Sequence, residues 1–215
     1  MNEEDRQIVC GVDDAGRGPV IGPMVLAGVA FRGGRLHLLE ELGVRDSKAL
    51  SPARRLRLRD RICELADRVE VEVVQPGEID EYVLRKEKLW KLNRLEAEKV
   101  ALILLKVGAS VAYVDASDVD AERFGRTVAE MLPRGVEVIS EHHADVKYPI
   151  VSAASIVAKV RRDAEVERIR AEYGDFGSGY PSDPKTRIFL QKLLEDGGEL
   201  PAFVRRSWKT LKKLS

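Results

Sequence analysis

The stretch IVCGVDDAGRGPVIGPMVLAGVAF, residues 8–31, decides how this chain is read. Two short apolar runs, Ile8–Asp13 and Met24–Phe31, flank the Gly/Pro-rich segment GRGPVIGP at 16–23, the pattern of two core strands joined by a tight connection. The first strand ends in two adjacent carboxylates, Asp13 and Asp14.

Further along, VAYVD at 111–115 repeats the theme: a buried strand that ends in a carboxylate, Asp115. Apolar residues at steps of three and four from Leu89 to Val107 predict a helix, with Gly108 as its stop. Ser51 followed by Pro52 reads as an N-cap with proline at the first helical position, opening a helix to about Ala66. Val69–Val74 alternates Val with Glu as a half-buried strand does. Helices are expected over Asp120–Leu132 and Ser152–Tyr173, and a strand over Val136–Ser140. The turn-rich DFGSGYPSDP at 175–184 precedes a helix capped by Ser182 or Asp183 and running to about Glu195, after which comes a basic tail. Helices interleaved with strands define an α/β class with a mixed sheet.

At 215 residues one domain is expected, 1–215, with about 165–215 as a helical part of the same unit. Lys plus Arg equal Asp plus Glu at 36 each, so any attraction to a polyanion must be local rather than global. Arg54, Arg55, Arg57, Arg59 and Arg61 read as a solvated helix face, because Glu64 and Asp67 follow closely. Arg205, Arg206, Lys209, Lys212 and Lys213 form a second basic cluster, open either to phosphate contact or to solvent. Cys10 and Cys63 stand apart with no ligand spacing, so both are expected to be buried small hydrophobes. The opening MNEEDRQ lacks the marks of a secretory signal, and no apolar run approaches the ~20 residues that span a bilayer. A cytoplasmic protein, not a membrane one, is expected.

Asp13, Asp14, Asp115 and Asp145 could converge at one edge of the sheet. Strand ends are where crevices form in open α/β sheets, and clustered carboxylates repel one another unless protons or cations neutralise them. Hard oxygen donors without Cys or His suit Mg²⁺ or Mn²⁺, which suggests metal-assisted phosphodiester hydrolysis. Any one of these acids alone could equally be a cap or a solvated loop residue. Gly16, Arg17 and Gly18 follow the carboxylates directly; their backbone can approach a sugar–phosphate chain closely, or can simply make a structural turn. The spacing is not that of a dinucleotide-binding loop, and Pro19 stands where its helix should open. Ser47, Lys48 and Lys147 can contact phosphates, and Tyr180, between Gly179 and Pro181, can stack on a sugar or base or pack beneath its loop. His142 and His143 read as exposed loop residues.

Taken together, GVDDAGRGPVIGPM at 11–24, VRDSKAL at 44–50, YVDASDVD at 113–120, HHADVKYPIVSAASIVAKVRRD at 142–163, GSGYPSDPKT at 177–186 and RRSWKTLKK at 205–213 resemble ribonuclease HII, in its archaeal-type branch. The resemblance covers nearly the whole chain. It implies an RNase H-like fold, a mixed five-stranded sheet flanked by helices with a C-terminal helical extension. It also implies a metal-dependent endonuclease that hydrolyses the RNA strand of RNA–DNA hybrids and cuts 5′ of ribonucleotides embedded in duplex DNA, leaving a 5′-phosphate and a 3′-OH. Two Mg²⁺ or Mn²⁺ ions would be held by Asp13, Asp14, Asp115 and Asp145, while Asp118, Asp120 and Asp163 fall off the catalytic positions. Gly16, Arg17 and Gly18 would recognise the RNA-to-DNA junction through the 2′-OH. Tyr180 would pack on the deoxyribose beyond it, and Ser47 and Lys48 would contact phosphates.

One departure stands out: the family carries glutamate where this chain has Asp14. The shorter side chain withdraws the carboxylate by about 1.5 Å, a scale on which misplacement can cost ~100-fold in rate; retained activity is expected. The rival functions are another metal nuclease of the same fold and a non-catalytic nucleic-acid binder. Monomer is the default state, and a replication clamp is compatible as a partner although the tail shows no recognisable clamp-binding motif.

Overall fold

The computed structural model describes residues 6–44, 50–85 and 91–214. In chain order these form β1 (Ile8–Ala15), β2 (Met24–Arg32), α1 (His37–Glu41), α2 (Pro52–Leu65), β3 (Arg68–Val74), α3 (Pro76–Leu84), α4 (Lys91–Val107) and β4 (Val111–Asp115). There follow α5 (Ala121–Ala129), β5 (Glu137–Glu141), α6 (Ala144–Lys147), α7 (Pro149–Tyr173), α8 (Pro184–Glu195) and α9 (Lys209–Leu214).

The five strands make one sheet in the order β3-β2-β1-β4-β5. β1 and β2 pair antiparallel across the short Gly/Pro-rich connection, and β2 and β3 pair antiparallel across a longer one that carries α1 and α2. β4 lies parallel to β1, and β5 parallel to β4, across helical crossovers. The sheet is therefore mixed, as expected, and its two most central neighbours, β1 and β4, point their carboxyl ends the same way.

Strand alternation sorts the core onto two faces. Cys10, Val12, Met24, Leu26, Ala112 and Val114 pack on α4 through Leu95, Val100, Ile103 and Leu104. Val9, Ala15, Val25, Ala27, Val29 and Phe31 pack on the small residues of α7, Ala153, Ala154 and Ala158 among them. Approach on this second face is close: a β-carbon built on Gly11 would lie 2.3 Å from the carbonyl oxygen of Ile150, so only glycine lets the first turn of α7 rest on β1. A third apolar cluster, Val20, Ile21, Val166, Phe176, Leu190, Val204 and Leu211, ties the connection after β1 to α7, α8 and the C-terminal segment.

Several expectations shift. β1 runs on to Ala15, so both acids lie within the strand. α7 starts at Pro149 rather than Ser152, because proline fits the first helical turn and Tyr148 before it is extended. α3, opened by Pro76 in the same way, was not expected. Leu89 lies outside the described residues, and α4 is described from Lys91. Cys10 is buried as expected, but Cys63 is exposed: it sits on the solvent side of α2 while Ile62 takes the buried position. Among the described residues no helix is long and apolar enough to cross a membrane.

Candidate active site

β1 and β4 pair in parallel with Gly11 beside Tyr113 and Val12 beside Val114. The next residue on each strand is an acid, Asp13 and Asp115, near enough for Asp115 to raise Asp13. Alternation places Asp13 on the α7 face with Val9 and Ala15, and Asp14 on the α4 face with Cys10 and Val12. The two adjacent acids thus serve opposite sides of the sheet.

On the α7 face, Asp13 is 7 % exposed and accepts from the hydroxyl of Ser155. Ser155 in turn accepts from Lys159 Nζ at 2.7 Å. Asp115 Oδ1 accepts the amide of Ala144 at 2.8 Å, which brings α6 and its next residue, the buried Asp145, against the end of β4. On the α4 face, Asp14 meets the fully buried Glu96, whose Oε1 accepts Arg17 Nε at 2.8 Å. Arg17 Nη2 also reaches Asn93 Oδ1 at 2.6 Å, so α4 holds this side chain at two points.

The electrostatics follow from this crowding. Burial, followed by the charge of Asp14 and of Asp115, raises Asp13 well above the ordinary carboxylate range, against the hydrogen bond from Ser155. Burial and then Glu96 raise Asp14, opposed by Arg17 and Lys159. Glu96 is raised by burial despite Arg17, and its Oε2 is buried without a hydrogen-bond partner. Carboxylates held this way favour either protons or a cation. The donor set is hard oxygen throughout, which fits a divalent ion such as Mg²⁺ or Mn²⁺. Among the described residues no three such groups stand at ligating distance of one point, so the fit is one of donor chemistry and charge rather than a finished cage.

The loop after β1 is built to close tolerances. Gly16 has φ +84°, and a β-carbon there would lie 2.8 Å from the Pro23 oxygen. A β-carbon on Gly18 would lie 3.3 Å from the ring of Tyr180, so the structure sets the second glycine directly against that tyrosine, itself 43 % exposed. Val20 and Ile21 donate to the Gly179 oxygen at 2.8 and 3.3 Å, locking the two loops together.

Arg205 corrects the reading of the basic tail as a phosphate-contacting or solvated cluster. It is fully buried, donating from Nε to the Gly22 oxygen at 3.0 Å, from Nη1 to the Arg17 oxygen at 2.7 Å and from Nη2 to the Gly16 oxygen. Trp208 Nε1 donates to the Gly18 oxygen at 3.0 Å. The carbonyls of Arg17 and Gly18 are thus held by Arg205 and Trp208, while Arg17 is half-buried and Gly18 exposed. The buried Asp80 of α3 anchors this tail, accepting the amides of Arg206 and Ser207 at 2.7 and 2.9 Å.

Other candidates separate cleanly. Lys147 pairs with Glu141, and His142 and His143 are exposed at a turn. Asp118 pairs with Arg123, Asp120 caps α5 and Asp163 faces Arg55, so these three acids carry structural roles. Of the arginine run, Arg54, Arg57 and Arg61 are exposed as expected, while Arg55 and Arg59 are half-buried, each with a buried Nε. Ser47 and Lys48 lie outside the described residues. Ser155, Lys159, Asn93 and Glu96 were not picked out from the sequence. Their only signal was helical spacing, with Ser155 and Lys159 one turn apart on a face of α7 that starts fully buried.

A sheet whose neighbouring parallel strands deliver carboxylates at their carboxyl ends, covered by one long helix, defines a metal-dependent nuclease of the RNase H-like class. Within that class the comparisons are specific: the ribonuclease HII family model matches residues 10–211, and the chain belongs to that family. It is 47 % identical over 208 residues to the ribonuclease HII of Pyrococcus abyssi, covering 96 % of this chain and 90 % of that protein. The crystal structure of ribonuclease H2 from Pyrococcus horikoshii superposes with a TM-score of 0.88 at 44 % identity, covering 97 % of each chain. Ribonuclease HII of Archaeoglobus fulgidus, solved in complex with PCNA, matches with a TM-score of 0.85 at 45 % identity over 96 % of each chain. The chain is accordingly a metal-dependent ribonuclease H, an endonuclease acting on RNA–DNA hybrids.

Proposed function

We propose that Asp13, Asp14, Asp115 and Asp145 hold two divalent ions, Mg²⁺ or Mn²⁺, and that the enzyme cuts hybrids and duplex DNA on the 5′ side of a ribonucleotide, leaving a 5′-phosphate and a 3′-OH. The observation that carries this reading is the parallel register that makes Asp13 and Asp115 the next residues on neighbouring strands, with burial and mutual repulsion raising Asp13. When bound, the ions supply Lewis-acid stabilisation of the attacking and leaving oxygens. Ser155 orients Asp13, and the Ala144 amide orients Asp115.

The Gly16–Gly18 loop would offer its backbone to the ribose 2′-OH, with the Arg17 side chain steadied by Glu96 and Asn93. Tyr180 packs on the deoxyribose that follows, and Ser47 and Lys48 contact phosphates. The chain works as a single catalytic unit over 1–215, the segment after 165 being tied in through Arg205 and the bridge between Ile21 and Val204. We assign it to the cytoplasm, as a monomer. PCNA binding by the Archaeoglobus fulgidus relative makes a sliding clamp the partner class to test.

The decisive experiment uses a labelled duplex with one ribonucleotide beside an all-DNA duplex and a long hybrid, with Mg²⁺, Mn²⁺ or EDTA. A metal-dependent cut 5′ of the ribonucleotide, absent from all-DNA and abolished in Asp13→Asn and Asp115→Asn, is expected. Near-normal turnover in either variant, with the fold intact, would refute the site.

A further inference from the structure

Arg162 lies on α7 with its side chain 14 % exposed, packed directly under the recognition loop: a β-carbon on Gly16 would sit 3.2 Å from its Cγ and 3.3 Å from its Nε. Two of its three guanidinium nitrogens, Nε and Nη2, are buried and have no hydrogen-bond partner. Its acid neighbour Asp163 lies 3.8 Å from Nη1, beyond hydrogen-bonding distance, and is shared with Arg55 at 3.5 Å. Arg55, Arg59 and Arg170 each leave only Nε in this condition.

Arg205 shows what a purely structural arginine looks like here, with all three nitrogens on carbonyl oxygens. A buried guanidinium with two open donors is unfavourable unless something supplies acceptors. Its charge also depresses that of Arg205, after burial, so the pair is a positive centre without a carboxylate in hydrogen-bonding contact with Arg162. Burial lowers Arg162, and Tyr180, which lies against Gly18, acts on it in the opposite direction. The planar fork of Nε and Nη2 matches two oxygens of one phosphate.

We infer that Arg162 is the seat for one backbone phosphate of the DNA segment that follows the ribonucleotide, gripped between the Gly16–Gly18 loop and Tyr180. This rests on the reading of those loops given above.

The test pairs the protein change with a change in the substrate. Duplexes with one ribonucleotide carry a single uncharged methylphosphonate at each successive linkage 3′ of it. The full-length wild type, Arg162→Ala and Arg162→Lys are compared for equilibrium binding in EDTA and for cleavage with Mg²⁺. One linkage is expected to weaken wild-type binding by ~10-fold or more, the scale of a charge-assisted hydrogen-bonded contact. Arg162→Ala should show that loss already on the unmodified duplex, mainly in Kd and KM rather than kcat, and lose nothing further at that linkage. Arg162→Lys should recover part of the affinity, keeping the charge but not the fork.

Additive losses at every linkage in the variants would overturn the seat, as would a wild type indifferent to all of them. Binding that shows the linkage-specific pattern without any cleavage would keep the seat and refute the catalytic reading instead. Should Arg162→Ala fail to fold, Arg162→Lys and Arg162→Gln carry the same comparison.

Discussion

Replacing Arg205 by methionine removes the three donors that hold the recognition loop while keeping most of the side chain's length and apolar stem. The carbonyls of Gly16, Arg17 and Gly22 lose their partners in a place with no exposure at Arg205 itself. An orphaned buried acceptor costs ~1–3 kcal/mol, and three of them, less the relief of removing a buried charge, give about 3–5 kcal/mol of destabilisation. For a chain of this size that is a fall in Tm of roughly 10 °C, and the variant should still fold, since domains commonly hold 5–15 kcal/mol. Freed of its backing, the loop no longer presents its backbone in one place, and a shift of about 1 Å can cost ~100-fold in rate. Thermal unfolding gives the first number, and kcat/KM on a single-ribonucleotide duplex, well below the unfolding range, gives the second. Cleavage falling with stability only where the protein unfolds, or unchanged kcat/KM in a folded Arg205→Met, would refute the idea that the tail sets the loop.

Asp183 accepts the Ser178 amide at 2.6 Å and the Lys185 amide at 2.9 Å, and these bonds, that of Ser178 foremost, lower it to about 2. A lowered carboxyl contributes stability above its ordinary pKa and loses it as pH falls towards 2, so Tm should drop in that acid window, and Asp183→Ala should show a flatter acid limb; an identical limb would remove Asp183 from the account. Because Asp13 is raised, its charged form disfavours the fold as pH climbs from the ordinary carboxylate range. Metal-free Asp13→Asn should therefore have a higher Tm than metal-free wild type at neutral pH, yet gain less on adding Mn²⁺ or Mg²⁺; an equal gain would place the ions elsewhere.

What the sequence disclosed and what it hid divide along one physical line. Asp13 and Asp115 were legible because each follows a short apolar run of strand length, and strand alternation fixes the face of each side chain. Tyr180 was legible as a tyrosine in a rigid Gly/Pro loop. Arg205 and Glu96 were not: both sit among other charges in the sequence, and a charged residue reveals burial only through partners, which here lie 188 residues away for Arg205 on Arg17 and 79 for Arg17 on Glu96. Asp80 was hidden for the same reason, 126 residues from Arg206. Cys63 misled because cysteine's usual preference for burial says nothing of which side of an amphipathic helix it occupies.

The zero net charge of the whole chain conceals a polar arrangement across the site. Asp13, Asp14, Asp115 and Glu96 feel one another's field, offset by Arg17 and Lys159 and, at Glu96, by Arg205, so this end favours protons or bound cations. Behind the Gly16–Gly18 loop the sign reverses, with Arg162 and Arg205 buried together. If the two proposals hold, a strand lying across both places the linkage to be broken over the acids and their ions, and an intact neighbour over Arg162. On the proposed reading the glycine loop lies between the two ends, so the residues proposed to demand a 2′-OH would also fix which linkage reaches the proposed metals. Asp14 belongs to both parts: it is on the strand with Asp13 but faces Glu96 and Arg17, which makes it the point where a shortened side chain would be felt in recognition as well as in rate.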